Sequence, residues 1–185
     1  LDDQPIDAPD SLARLRAWLA EGHSVLAVAN TVATAQRVYA KLAPAAHHAC
    51  PDDPDAAILL HSRFRAKDRA EIERRILRRH PERSVGEPGR RGGGLVVATQ
   101  VLEVSLCLDF DRGASELAPI EALAQRAGRV NRRGRHPDGP VEFRVHLPET
   151  ARPYKEDALH AALSALRRTP EPVISEQTID TWLRH

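Results

Sequence analysis

The sequence predicts an α/β fold, a parallel β-sheet flanked by helices on both faces. Three short apolar runs, SVLAVAN (24–30), AAILLHS (56–62) and LVVAT (95–99), have the unbroken hydrophobicity of strands buried on both sides. Segments of helical spacing alternate with them, as the crossovers of a parallel sheet require.

The elements follow in order. DSLARLRAWLAEG (10–22) reads as an amphipathic helix with Asp10 or Ser11 as its cap and Gly22 as its stop. Thr31 caps a second helix, VATAQRVYAKL, directly after the first strand. RAKDRAEIERRILRR (65–79) is a helix that buries Ile72 and Ile76, with Glu71 and Arg75 four apart as an ion pair. The Gly/Pro/Arg segment 80–94 is a loop. A helix near 119–127 begins at Pro119, a residue suited to a first turn. VEFRVHL (141–147) alternates and reads as a last strand near an edge, and two helices, 153–168 and 174–183, end the chain. DRGASEL, after the third apolar run, is too polar to be assigned as a strand from pattern alone.

At 185 residues and 42% apolar, the chain can bury one real core and is not a disordered tail. No apolar run is long enough for a membrane span. Two cysteines, Cys50 and Cys107, argue against a disulfide scaffold and suit a reducing cytoplasm. His47, His48 and Cys50 have no second ligand cluster at zinc spacing, so no metal site is assigned. The absence of methionine suggests a piece of a longer protein.

The net charge of +1 conceals two basic regions. Residues 61–91 hold eleven Lys/Arg against five Asp/Glu, and residues 121–135 hold five against one. Such local concentration points to a polyanion site on one surface. In a parallel sheet, ligands gather at the carboxyl ends of the strands. There the sequence sets Asn30-Thr31, His61-Ser62-Arg63 and Thr99-Gln100.

If EALAQRAGRVNRRGR (121–135) is one helix, Gln125, Arg129 and Arg132 share a stripe, being four and three residues apart. Leu123, Ala127 and Val130 take the opposite side, and Gly128 permits close approach to the stripe. A solvated amphipathic helix is the plain alternative. The planar fork of arginine, however, suits phosphate and the charge that develops in phosphoryl transfer.

QRAGRVNRRGR resembles the sixth motif of superfamily-two helicases, and VVATQVLEVSLCLDFD (96–111) resembles the fifth. LHSRF (60–64) and ELAPIEALAQRAGR (116–129) are similar, more narrowly, to the CRISPR-associated helicase-nuclease of type I systems. VLAVANTVATAQRVYAKL (25–42) is similar to the opening strand and helix of the same lobe. The resemblance runs in order from about residue 22 to 147.

The resemblance implies that residues 1–150 are the second RecA-like lobe of a helicase motor and 151–185 a helical linker. Arg129 and Arg132 are then arginine fingers, with Gln125 beside them, for ATP bound mainly by a first RecA-like lobe of the same chain. That lobe would also carry the Mg2+ ligands. Arg126, on the cofactor-binding side, anchors the motif through structural hydrogen bonds. Thr31, Ser62, Arg63, Thr99 and Gln100 would contact the backbone of single-stranded DNA, and a CRISPR surveillance complex would be the partner. The family commonly has an acidic residue where this chain has Cys107, so either Asp109 carries the ribose contact or nucleotide binding is weaker than in relatives. Cys107 itself reads as a small buried residue.

No Gly-x-x-x-x-Gly-Lys-Ser/Thr loop occurs, and Gly92 to Gly94 precede a strand, whereas a phosphate loop follows one. Efficient ATP hydrolysis therefore needs more than these residues. Two other readings remain at this point: a lobe of a DEAH-like RNA helicase, and a non-enzymatic α/β module that only binds nucleic acid.

Overall fold

The computed structural model describes residues 1–82, 92–103, 107–134, 136–137, 139–169, 178 and 180. Its elements are α1 (Pro9–Ala20), β1 (Ser24–Val28), α2 (Val32–Ala49), β2 (Ala57–Leu60), α3 (Ala66–Arg79), β3 (Gly94–Ala98), β4 (Arg112–Glu116), α4 (Ile120–Ala127), β5 (Phe143–His146) and α5 (Glu156–Arg168). The five strands form one parallel sheet in the order β2-β3-β1-β4-β5. The expected helix 174–183 lies, but for residues 178 and 180, outside the described residues.

Alternation along the central strands divides the core. Val25, Ala27, Leu95 and Val97 pack with Leu15, Trp18 and Leu19 of α1 and Val38 and Leu42 of α2. Leu26, Val28, Val96 and Ala98 face the other way, against Ile76 of α3, Leu102, Phe110 and Val130. Both faces are thus dry, which explains why these strands read as continuous apolar runs. A third cluster joins Leu117, Ala122 and Leu123 to Val145 of β5 and to Leu159 and Ala162 of α5.

The polar stretch DRGASEL does contain a strand. β4 lies between β1 and β5, and its small and polar residues are fitted to that place. Gly113 pairs in register with Phe143, whose ring, with Val130, fills the space that a β-carbon on residue 113 would take. Gly113→Ala would meet atoms of both residues at 2.6–2.9 Å. Such overpacking is expected to cost about 1–3 kcal/mol, read as a lower denaturant midpoint with an unchanged slope.

Other local expectations change. α1 starts at Pro9 after Ala8 rather than at Asp10 or Ser11, while Gly22 does end the turn, with φ at 81°. Arg75 pairs with Asp55 at 2.5 Å instead of Glu71, which pairs with Arg74 and Arg78. Asp55 wins because it is fixed in the loop before β2 and takes both Nε and Nη2 of Arg75. Pro119 is the cap of α4 and not its first residue.

Residues 121–135 are not one helix. α4 ends at Ala127, Gly128 closes its last turn, and Val130 forms a parallel bridge to Phe110. Asn131 then adopts φ 46° and a short 3-10 turn spans Arg132–Gly134. At the far edge, the Asp2 amide donates to the Val145 carbonyl (2.7 Å) and the Asp2 carbonyl accepts from Leu147 (3.2 Å), so Asp2 pairs along β5.

Candidate functional site

Strand order reverses about β1. From β1 the chain crosses to β2, at one edge of the sheet, while the chain leaving β3 passes to β4 on the far side. The crevice of such a sheet lies where the connections diverge, at the carboxyl ends of β1, β3 and β4. Asn30, Thr99-Gln100 and Glu116 stand there.

A buried arginine fills the bottom of this crevice. Arg126, on α4, is 1% exposed and spreads its guanidinium over five partners. Nε donates to Glu103 Oε1 (2.9 Å) and Nη2 to the Tyr154 hydroxyl (2.9 Å). Nη1 donates to Asn30 Oδ1 (3.0 Å), Ser115 Oγ (2.9 Å) and the Glu116 carbonyl (3.2 Å). The remaining groups of Asn30 are used too: its N–H donates to Glu116 Oε2 (2.5 Å), and Nδ2 donates to the Leu117 carbonyl (2.8 Å). Burial raises the Glu116 pKa, against the opposing effects of the Asn30 amide and the Arg126 charge. Every segment near the crevice is therefore tied to one cation.

That anchor supports the turn carrying the two finger candidates. Arg129, half-buried, donates from Nη2 to the Glu103 carbonyl (3.1 Å). Burial lowers its pKa, the Arg132 charge lowers it further, and Cys107 opposes both. The Arg132 amide donates to buried Asp109 Oδ1 (2.8 Å), and its Nε lies 3.3 Å from Glu82 Oε2.

The helical stripe does not survive, because α4 stops before Arg129. Arg129 and Arg132 are brought together by the turn instead, while Gln125 is exposed on α4. Asp109 is buried beneath Arg132 and holds its amide. Cys107 is exposed rather than buried: its carbonyl accepts from the Glu82 amide, which fixes the backbone and leaves the thiol in solvent. Val104, Ser105, Leu106, Arg135 and the side chain of Arg133 lie outside the described residues.

The nucleic-acid candidates share the carboxyl edge of the sheet. Thr31 caps α2, its Oγ1 accepting the Thr34 amide at 3.1 Å. Ser62 and Arg63 are exposed between β2 and α3. Thr99 is buried at the end of β3, and Gln100 donates from Nε2 to the Asn30 carbonyl (2.7 Å). Sequence reasoning missed the roles of Glu82, Glu103, Ser115, Glu116 and Tyr154, which place the arginines; Glu103 and Glu116 lie within the motif stretches, but no spacing there marks them out. Among the described residues, no helix is long and apolar enough to cross a membrane, and no group of three His, Cys, Asp or Glu is placed to hold a metal ion.

Known proteins match this chain in sequence and in fold. The family model described as CRISPR-associated nuclease/helicase Cas3, C-terminal, matches residues 21–135. A putative CRISPR-associated nuclease/helicase Cas3 from Myxococcus xanthus is 34% identical over 183 residues, covering 97% of this chain and 22% of the relative. The crystal structure of T. fusca Cas3-ADP aligns at a TM-score of 0.79 and 29% identity, over 99% of this chain and 23% of that one. A chain of a CRISPR RNA-guided surveillance complex, pre-nicking, aligns at 0.71 and 28% identity, over 100% and 24%. The chain spans about a fifth of the length of the curated relatives it matches. A family match over most of the chain, on a five-stranded parallel sheet of the same RecA-like type, makes this protein a member of the Cas3 family, from the C-terminal helicase lobe of the CRISPR-associated helicase-nuclease.

Proposed function

We propose that this chain is the second motor lobe of an ATP-dependent helicase that translocates on single-stranded DNA during CRISPR interference in the cytoplasm. Residues 1–150 form the lobe, and α5, which follows, packs onto it through Leu159 and Ala162. The observation that carries this reading is that Arg129 and Arg132 stand on the short segment after α4, Arg129 donating to the Glu103 carbonyl and Arg132 held by Asp109 and Glu82. The T. fusca relative named with ADP supports nucleotide as the ligand, and the surveillance-complex relative supports that assembly as the partner.

The chemistry supplied by ATP with Mg2+ is phosphoryl transfer to water, in which charge spreads over the transferring phosphoryl oxygens. A first lobe would hold most of the nucleotide and the metal. Arg129 and Arg132 would meet the terminal phosphates from this side, with Gln125 close to them. Thr31, Ser62, Arg63, Thr99 and Gln100 would hold DNA phosphates along the strand ends, where the α2 N-terminus adds a favourable dipole.

The test uses the full-length protein carrying Arg129→Ala with Arg132→Ala. ATP turnover is expected to vanish, while affinity for single-stranded DNA at fixed salt changes less than about threefold. Turnover near the wild-type rate in this double variant would sink the reading.

A further inference from the structure

Asn131 stands between the bridge residue Val130 and Arg132, and among the described residues it is the one non-glycine with a positive φ, 46°. Asparagine is one of the few side chains that tolerate this left-handed conformation. Backbone and side chain are both engaged. The N–H donates to the Phe110 carbonyl (2.8 Å), and the carbonyl accepts from the Gly134 amide (2.8 Å). The side chain reaches forward along the chain, where Oδ1 accepts from the His136 amide (2.7 Å) and Nδ2 donates to the Gly139 carbonyl (3.0 Å). His136 is set from the sheet side in turn. It is buried, with ring Nε2 3.3 Å from Asp111 Oδ1, and Asp111 Oδ2 accepts from both the amide and the hydroxyl of Ser24 (2.8 Å each). One amide side chain therefore closes the chain from 131 to 139 on itself, and His136 hangs the closed loop from the starts of β1 and β4.

We propose that Asn131 is a positioning residue for Arg132: by closing the loop after the arginine turn, its side-chain amide fixes the direction in which Arg132 is offered to a phosphoryl group. This rests on the motor reading, in which Arg132 meets the terminal phosphates. The other role for the amide is stability alone. Two observations favour positioning. None of the three apolar clusters holds a described residue between 131 and 139, so the core does not depend on how this loop is closed. And Asn131 shares its peptide bond with Arg132, whose N–H is held by Asp109 Oδ1 at 2.8 Å. A rotation at Asn131 turns that peptide against Asp109 and swings the arginine with it.

The test compares wild type, Asn131→Gly, Arg132→Ala and the double variant, all in the full-length protein with single-stranded DNA present. Glycine adopts the positive φ freely, so this change removes the amide and keeps the turn available. The probes are ADP with Mg2+, alone and with aluminium fluoride, which mimics the phosphoryl group in transfer. Asn131→Gly is expected to lower kcat and the affinity for the aluminium fluoride complex about ten- to thirtyfold each. The dissociation constants for ADP and for single-stranded DNA are expected to stay within about twofold of wild type. In the Arg132→Ala background the same change is expected to cost less than about twofold. Equal losses of affinity for ADP, its fluoride complex and DNA, or strictly multiplicative effects in the cycle, would overturn the positioning role. If Arg132→Ala itself leaves kcat at the wild-type value, the finger assignment of Arg132 fails. If Arg132→Ala acts and Asn131→Gly does not, only the role of Asn131 fails.

Discussion

Arg126→Ala is expected to unfold the lobe or bring it to the edge of unfolding. The guanidinium is buried with five partners, two of them on acidic residues that are themselves largely buried. Removing it leaves the Glu103 carboxylate without its cation, and the Asn30, Ser115, Glu116 and Tyr154 acceptors without their donor. Breaking a buried pair from one side costs about 3–5 kcal/mol, a large share of a stability of roughly 5–15 kcal/mol. For a domain of this size the melting temperature falls by roughly 6–20 °C. Arg126→Lys should fall between, because an ammonium group has three donors and no planar fork. A melting temperature within 2 °C of wild type for the alanine variant would show the network to be dispensable.

Arg129→Ala should behave in the opposite way. The side chain is half-buried and donates to the Glu103 carbonyl, and loss of a hydrogen bond of this kind costs about 1 kcal/mol. On the proposed motor reading the loss is expected in catalysis: an arginine finger is worth on the order of 10³–10⁵ in rate, and that factor should leave kcat in the full-length enzyme. Arg129→Lys should recover little of it, since a point charge cannot bridge two phosphate oxygens. Binding of single-stranded DNA, measured at one salt concentration, should stay within about twofold. A module that merely binds nucleic acid gives another result, with Arg126→Ala and Arg129→Ala weakening DNA binding alike and no turnover to lose.

These contrasting outcomes also mark what could be read from sequence. β1, β2 and β3 were legible because strands buried on both faces must be apolar throughout. β4 was not, since its polarity is used by partners far along the chain: Ser115 meets Arg126, Glu116 meets Asn30, and Gly113 makes room for Phe143. The helix drawn through 121–135 failed for a related reason. Its apolar spacing continues to Val130, but Val130 belongs to a bridge with Phe110, and the positive φ of Asn131 turns the chain away. The nearness of Arg129 and Arg132 was therefore expected on the wrong geometry. The anchoring role of Arg126 was legible in kind, though its partners were not, because Ser115 and Tyr154 lie outside the motifs and nothing in the fifth-motif stretch singles out Glu103.

The pairing of Asp2 with β5 bears on how the lobe behaves in a crowded solution. A parallel sheet ending in a bare strand offers its N–H and C=O groups as a template for foreign chains. Here Asp2 takes the Val145 carbonyl and the Leu147 amide, and Asp2, Glu142 and Arg144 place opposite charges along the same margin. The margin is thereby both shortened and made unwelcoming to apolar strands. The same few residues that close the sheet thus guard it against joining edge to edge with its neighbours.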